Sequence, residues 1–559
     1  MKEILSGRNY IFFFIILGLI VFTNALFGNF VWDDKVYIIN NPDLTPFNLF
    51  KLFGPNIFNK AVYYRPIPAT YFSLLLNIFA DQTFFYHTLQ LILHITNSIL
   101  VFLIFRKFFN AKISLFLASI FLVHPMQVES VSYIAAAVSP IFTFFGLSVL
   151  YILMRFEFSK ILTTGILLFL ILASILTKET GLMFGLLCIF YTLLFKRKML
   201  VPAISATILA VVFYFLLRFQ VGHVFFNKSL VMPLPIMHLS FFARLILIPK
   251  IVLYYLGTFL FPIILISDQN WIIKQISLPN FFLPLFFAVT FCAGLIFLGL
   301  KISEARLKAF YFFFLGWFVL GMIPHLQIVP LDMTVADRWF YFPLIGLLGL
   351  VGALVKSLSG KKKIEQYAYI VLGLFVLFLS VRTMARNIDW QSPLYLYSHD
   401  IIYEQDNFDM QNNLGNELFQ AGDIQAAKPH FEKSIALAPE QSMNYTNLAT
   451  VYAVEKNYNQ AYIYFDKAME NDPNYYPAYE KLGYVYLSQK DYLKAKGFLK
   501  KAISRFPDQP ILYTFLAEAN YKIDNREEAL QAAIKAYELL PNSYNLFIYE
   551  SLRDGKPIQ

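Results

Sequence analysis

The adjacent acids Asp33 and Asp34, directly after Trp32 at the end of an apolar run, are the clearest chemical signal in the chain. Two neighbouring carboxylates in an extended or turn segment point different ways. One can then act as a general base while the other holds a donor, a cation or an arginine. The same dipeptide also reads as a plain charge pair at a helix end. Further polar groups follow in order: Asn40-Asn41-Pro42-Asp43, Tyr64-Arg65-Pro66, His87, His94 and Asn97, His124-Pro125 with Glu129, Lys178-Glu179 with Gly181, and Asp337-Arg338-Trp339-Phe340-Tyr341. His87, His94 and Asn97 are spaced by seven and three residues, which is one face of a helix. Together these residues suit a pocket for a phosphate-linked lipid. Arg65, Lys178 and Arg338 can neutralise a phosphate, apolar spans can take a polyprenyl tail, and a carboxylate can deprotonate a hydroxyl attacking an anomeric carbon. His87, His94, His124, Glu129, Glu179 and Asp337 are candidate pocket members. Alternative readings stand beside these: the histidines as packing residues, Lys178 with Glu179 as an interfacial ion pair, and Arg338 as the partner of Asp337.

The elements that must position these groups are apolar helices. Of the 559 residues 58% are hydrophobic and 15% charged, with a mean hydropathy of +0.56. A soluble chain carries about 25% charged residues. Residues 1–385 hold 29 Lys and Arg against 13 Asp and Glu, whereas residues 386–559 hold 17 against 23. The basic excess lies between apolar runs, as on the cytoplasmic side of a membrane protein, so it is no nucleic-acid signature. Runs of roughly bilayer length occur near 10–29, 84–105, 112–127, 134–154, 161–176, 182–195, 200–217, 246–267, 281–300, 309–328, 339–356 and 367–385. Tyr10–Phe27 lacks a small-residue cleavage site and reads as an uncleaved first span. Lys2, Arg8, Arg106, Lys107, Lys112, Arg155, Lys160, Lys196-Arg197-Lys198, Lys301, Arg306, Lys308 and Lys361-Lys362-Lys363 mark the inner side. Alternation works through residue 217 and then fails by one crossing. One run between 218 and 280, rich in Pro233, Pro235, Pro249 and Pro262, is therefore expected not to span, leaving about eleven crossings. Glu3, Glu157, Glu304 and Glu365 fall inside, and the other nine acids, Asp332 included, fall on or near the external face. Cys188 and Cys292 read as buried thiols in apolar helices.

Beyond residue 385 the chain repeats. Pro439, Pro473, Pro507 and Pro541 are each 34 apart, as are Ala427, Ala461, Ala495 and Ala529, and Leu414, Leu448, Leu482 and Leu516. Gly415, Ala449, Gly483 and Ala517 share the spacing, as do Ser434, Ala468, Ala502 and Ala536, while Phe431, Phe465 and Leu499 fill a large position. Small residues where paired helices cross, large ones opposite, and proline at the end of the second helix match the tetratricopeptide (TPR) consensus. Four repeats result, at 408–441, 442–475, 476–509 and 510–543, with a connecting segment 386–407 and a tail 544–559. Such pairs stack into an α-solenoid whose concave groove takes peptide or protein.

The order of Asp33-Asp34, Tyr64-Arg65-Pro66, His87 and His94, His124-Pro125 with Glu129, Lys178-Glu179 with Gly181, Asp337-Arg338 with Tyr341, Arg386-Asn387 with Trp390, then TPR repeats, resembles the transmembrane-and-TPR-containing protein O-mannosyltransferases, GT-C glycosyltransferases, and their prokaryotic relatives. Asp337 stands where the family carries Glu. The resemblance implies an all-α fold: a GT-C-like transmembrane bundle over 1–385, its first external loop at about 30–83, followed by the TPR solenoid. It implies an inverting enzyme of a prokaryotic inner or plasma membrane, with the array outside the cytoplasm. This enzyme would transfer mannose from a polyprenyl phosphate to Ser or Thr hydroxyls of a protein held by the groove. Asp33 and Asp34 carry over as the acidic pair, one of them the base, with Arg65, His124, Glu129, Lys178, Glu179 and Arg338 around them. No cofactor is called for, and a divalent metal stays open. No Gly-rich phosphate loop, Cys/His metal set or triad is present in the sequence, and no segment can form the soluble α/β domain of a nucleotide-sugar enzyme. A lipid-linked oligosaccharide ligase or polymerase, and a non-catalytic membrane-anchored scaffold, are the rival classes.

Overall fold

The computed structural model describes residues 9–55, 63–225, 235–358 and 362–558. Lys2, Glu3, Arg8, Pro233, Lys361 and part of the first loop, 56–62, lie outside the described residues, as does the side chain of Lys362. Among the described residues the chain is helical, and its strand-like pairing is a single isolated bridge between Gln269 and Val335. It divides into two units, one up to Tyr403 and one from Glu404.

Among the described residues, ten helices of the first unit are long and apolar enough to cross a membrane, from Asn9–Phe27 to Lys363–Asp389. An eleventh crossing arises if the bent pair Ala111–Val123 and Pro125–Ser132 counts as one span. The run expected at 112–127 thus breaks by 51° at His124, because Pro125 cannot donate the next helical hydrogen bond. The expected span 182–195 is a helix of only 14 residues, Leu182–Phe195, short of the roughly 20 a bilayer needs. Conversely, the proline-rich stretch holds a 20-residue helix, Phe241–Leu260, that carries Pro249 within it and passes the same test of length and apolarity. The shortfall in crossing length therefore falls on 111–123 and 182–195, not on 218–280.

Burial separates central from peripheral helices. The apolar window of Asp337–Ser357 is 78% buried, and that of Leu278–Lys301 only 11%. Cys188 is buried as expected, but Cys292 is exposed on that peripheral helix. Small residues bring the central helices together. A Cβ on Gly346 would lie 2.5 Å from the backbone nitrogen of Phe318, and one on Gly321 would lie 2.9 Å from the Cα of Pro343.

The second unit is the repeat array. Its helix pairs run from Phe408–Gln420 and Ile424–Leu437 to Pro510–Lys522 and Arg526–Leu539. Ala427, Ala461, Ala495 and Ala529 are wholly buried, as are Phe465 and Leu499. A Cβ on Gly415 would come within 2.9 Å of Phe431, and one on Gly483 within 2.9 Å of Leu499, which is why the small and large positions alternate. The expected tail is instead a further helix, Ser543–Arg553. Asn545 anchors it, donating to the carbonyl of Leu540 at 2.9 Å and accepting from Thr514 at 3.0 Å. The expected connecting segment 386–407 also changes character. Up to Tyr403 it packs as part of the first unit, because Arg386 forms a buried ion pair with Asp400 at 3.1 Å.

Candidate functional site

A cavity of about 490 Å³ opens among the helix ends of the first unit. Its lining includes the charged side chains of Asp33, Arg65, Lys178, Glu179, Asp332 and Arg338 and the apolar ones of Met183, Ile323, Pro324, Ile328, Val329 and Leu331. Three local devices hold the charged side chains in place.

The acidic pair is divided by its own turn. Trp32 has φ +53°, in the left-handed region that a bulky residue rarely adopts. Asp34 is fully buried beyond it. Its carboxylate accepts the backbone N–H of Val31 at 2.9 Å and of Ala135 at 2.6 Å. Burial pushes its pKa up to about 8, against the lowering effect of those N–H groups. Asp33 faces the cavity half-buried. Burial raises its carboxyl above the ordinary value, while the Arg338 guanidinium and the Tyr133 hydroxyl favour its charged form.

The Lys178-Glu179 segment sits at the break between Lys160–Thr177 and Leu182–Phe195. Gly181 is required there, since a Cβ would lie 2.4 Å from the carbonyl carbon of Ser174. Glu179 pairs with Arg65 rather than with its neighbour: Nε and Nη2 of Arg65 reach one oxygen at 3.1 and 2.7 Å. Arg65 itself lies over the Tyr63 ring at 4.1 Å. Burial alone would raise the Glu179 pKa, but Arg65 and then Arg218 hold it below the usual carboxylate range. Lys178 pairs with no carboxylate among the described residues. Its ammonium stands 5.8 Å from the Phe142 ring centre. Burial, followed by the like charges of Arg65 and Arg338, pulls its pKa down to about 7.

His124 and Pro125 shape the turn that carries Glu129. The His124 ring accepts the N–H of Met126 at 3.2 Å and its other nitrogen meets the Phe259 carbonyl at 3.1 Å. The short helix Val128–Ser132 then presents Glu129 to Arg338. One Glu129 oxygen takes the Arg338 backbone N–H at 2.8 Å and the other takes its guanidinium. Arg338 is therefore not the partner of Asp337, because neighbours in a tight turn diverge. Asp337 points away and accepts the Tyr254 hydroxyl at 2.7 Å.

Of the residues singled out in the sequence, Asp33, Arg65, Lys178, Glu179 and Arg338 share the cavity, with Asp34 and Glu129 directly behind it. His87, His94, His124 and Asp337 do not line it. His94 is a packing residue between the Tyr341 hydroxyl at 2.8 Å and the Leu122 carbonyl at 2.9 Å. Sequence reading passed over Tyr37, Tyr63, Tyr133, His325 and Asp332 as lining residues. Asp332, placed with the external acids, had in its position six residues before Arg338 the signal that assigns it to the pocket; the tyrosines are indistinguishable in type from the many interfacial ones. Among the described residues, no three His, Cys, Asp or Glu side chains gather into a metal-holding set.

The molecule thus belongs to the class of polytopic helical proteins with an internal charged cavity and an appended TPR array. Comparison with known proteins agrees in both parts. A tetratricopeptide-repeat family matches residues 412–476, and the family described as anaphase-promoting complex, cyclosome, subunit 3 matches residues 454–536. The chain is 26% identical over 495 residues to mouse "Protein O-mannosyl-transferase TMTC3", covering 78% of this chain and 52% of that protein. It is 25% identical over 461 residues to "Protein O-mannosyl-transferase F38B6.6" of Caenorhabditis elegans, covering 78% of this chain and 63% of that protein. The chain thus resembles the protein O-mannosyl-transferases over most of its length, while spanning about half of the mouse relative. Among solved structures, MamA is 22% identical, with a TM-score of 0.24, over 30% of this chain and 86% of that one.

Proposed function

We propose that the chain is an integral membrane glycosyltransferase of GT-C type. It transfers mannose from a polyprenyl phosphate to Ser or Thr hydroxyls of a protein on the extracytoplasmic face, with the TPR array holding acceptor or partner. One observation carries this reading: a single cavity is lined at once by a half-buried carboxylate, Asp33, by Lys178, which pairs with no carboxylate among the described residues, and by a set of apolar side chains. The apolar side chains suit a lipid tail. The charged ones supply what an inverting transfer needs. Asp33 takes the proton of the acceptor hydroxyl as its oxygen bonds to the anomeric carbon. The bond from that carbon to the phosphate oxygen breaks, and the departing phosphate meets Lys178. Arg65 and Arg338 are each already engaged by a glutamate, so they contribute donors rather than unspent charge. Asp34 positions the turn and does not act as base, since both its oxygens are taken by backbone N–H groups. The family names of the relatives support the sugar and the acceptor class.

The test is turnover of a mannosyl polyprenyl phosphate by purified full-length protein in detergent, with a Ser/Thr-bearing acceptor. General-base assistance is worth about 10² to 10⁴ in rate, so Asp33→Asn should reduce transfer by that order at unchanged thermal stability. Asp34→Asn should lose both activity and stability. Full activity of Asp33→Asn would refute the base assignment. No transfer by the wild type from any polyprenyl-phosphate sugar would favour the scaffold reading. For orientation, a reporter active only outside the cytoplasm should work after Gln559 and fail within Lys361–Lys363; the reverse would place the cavity on the wrong face.

A further inference from the structure

The motif Arg386-Asn387 with Trp390 lies at the end of the last long apolar helix, and nothing in the proposed chemistry uses it. The structure ties it to the acidic pair. The Trp390 ring, 1% exposed, stacks on Tyr133 with ring centres 5.5 Å apart. Tyr133 in turn stacks on Trp32, again at 5.5 Å. Trp32 is the residue in the left-handed backbone conformation, one step before Asp33. The far side of the stack is capped by Arg338, 5.6 Å from the Trp32 ring centre, and the near side by Arg386, 5.7 Å from that of Trp390.

The backbone is fastened at the same place. Asn29 donates its N–H to the carbonyl of Gln391 at 2.9 Å. The Asn387 amide donates to the Val21 carbonyl at 2.9 Å and to Asn24 at 3.0 Å, and accepts from Ser132 at 3.1 Å. Arg386 is locked between Asp389 and Asp400, each at 3.1 Å. A left-handed tryptophan persists only where its surroundings over-determine it, and here three rings and the end of the last long helix do so.

We propose that Trp390 is a positioning residue: through Tyr133 it holds Trp32 in the turn that delivers the Asp33 carboxylate into the cavity. The catalytic part of this inference rests on Asp33 as the base; the geometric part does not.

Two readouts separate them, both on the full-length protein. In kinetics, Trp390→Ala should lower kcat about 10- to 100-fold, as a displaced catalytic group does, with the donor KM within about threefold. Trp390→Phe, which keeps a ring for the stack, should recover most of the loss. In an Asp33→Asn background the same Trp390→Ala change should have almost no further effect on kcat, because the group it positions is gone. In labelling, Asp33→Cys with Cys292→Ser should react with a small thiol reagent at a rate that Trp390→Ala changes at least about fivefold and Trp390→Phe restores, a shift equivalent to the loss of one defined orientation. If Trp390→Ala fails to fold, Trp390→Leu replaces it in both assays. An unchanged kcat, equal loss in Phe and Ala variants, or an unchanged labelling rate would each overturn the proposal. Full activity of Asp33→Asn alone would instead overturn the base assignment, and the labelling rate would still decide the positioning role.

Discussion

The helical unit and the repeat array use charge in opposite ways. In the array most ion pairs lie on the surface, as between Lys494 and Asp491, whose side chains are 67% and 32% exposed. Its interior is mostly apolar, rich in alanine, leucine and phenylalanine, with neutral polar side chains such as Asn444, Thr514 and Asn545 among them. The helical unit, besides surface pairs such as Lys198 with Glu157, also buries charges in pairs. Arg386 and Asp400 have side chains 2% and 0% exposed, Arg338 and Glu129 13% and 3%. The array is stabilised by an apolar fit repeated between neighbours, to which the surface charges add little. The unit must pair its charges before it can close, because a lone buried charge is costly. Buried charge is thus concentrated in the helical unit, and the repeated apolar fit in the array.

The largest effect should come from breaking a buried pair. Replacing Glu129 by Gln leaves the Arg338 guanidinium without its carboxylate. Breaking such a pair from one side costs about 3–5 kcal/mol, so the detergent unfolding midpoint of the unit should fall steeply. The double change Glu129→Leu with Arg338→Met should recover much of it. Recovery failing would mean that the pair does more for the fold than satisfy its own charges.

An array variant gives the contrast. Leu448→Ala removes a side chain that is 1% exposed between stacked helices. The loss should be about 2–5 kcal/mol, felt most in the repeats on either side. Hydrogen exchange on residues 404–559 expressed alone, which should be soluble and helical, would check this; equal deprotection of the last repeat, 510–543, would show an array less modular than its spacing implies.

Legibility follows the same division. The 34-residue register exposes each repeat's core directly, because every contact joins positions close in sequence. Its miss, the helix Ser543–Arg553, occurs where the register ends. In the helical unit Asp33, Arg65, Lys178, Glu179 and Arg338 were legible as charges too costly to be idle near lipid. Their partners were not, since Arg338 meets Glu129 209 positions away and Arg65 meets Glu179 114 away. The alternative local readings set Arg338 against Asp337 and Glu179 against Lys178, whereas the carboxylates actually met lie far off in sequence. The histidines misled for a related reason: burial makes a hydrogen-bonded packing histidine look like a pocket histidine in sequence.

The cavity should also titrate in a way the array does not. Asp33 works as a base only above its raised pKa, giving an acid limb. Lys178 is a cation below about 7 and loses its charge as pH rises through that value. The donor KM should therefore rise about tenfold over one to two pH units above 7, on the alkaline side alone. Lys178→Arg should remove that rise, since a guanidinium stays charged. A KM independent of pH in the wild type would take the phosphate away from Lys178.

The smallest effect should come from the array's counterpart of Glu129. Glu528 is held by two cations, Lys496 at 3.0 Å and Lys500 at 2.8 Å, contributed by the preceding repeat. Their hydrogen bonds depress its pKa to about 2. A carboxyl depressed in the fold stabilises it above its unfolded pKa and ceases to do so as pH falls through the folded value, so the effect lives between about pH 4.5 and 2. Yet its side chain is 41% exposed, so water and salt screen both contacts. Glu528→Gln should leave the array's unfolding midpoint unchanged at physiological salt and lower it slightly at low salt. Glu129→Gln should be costly in the helical unit at either. Glu528 has two lysines where Glu129 has one arginine, but burial decides the outcome and not the number of partners. A salt-independent loss for Glu528→Gln as large as that for Glu129→Gln would mean that the charge networks of the two regions do not differ in kind.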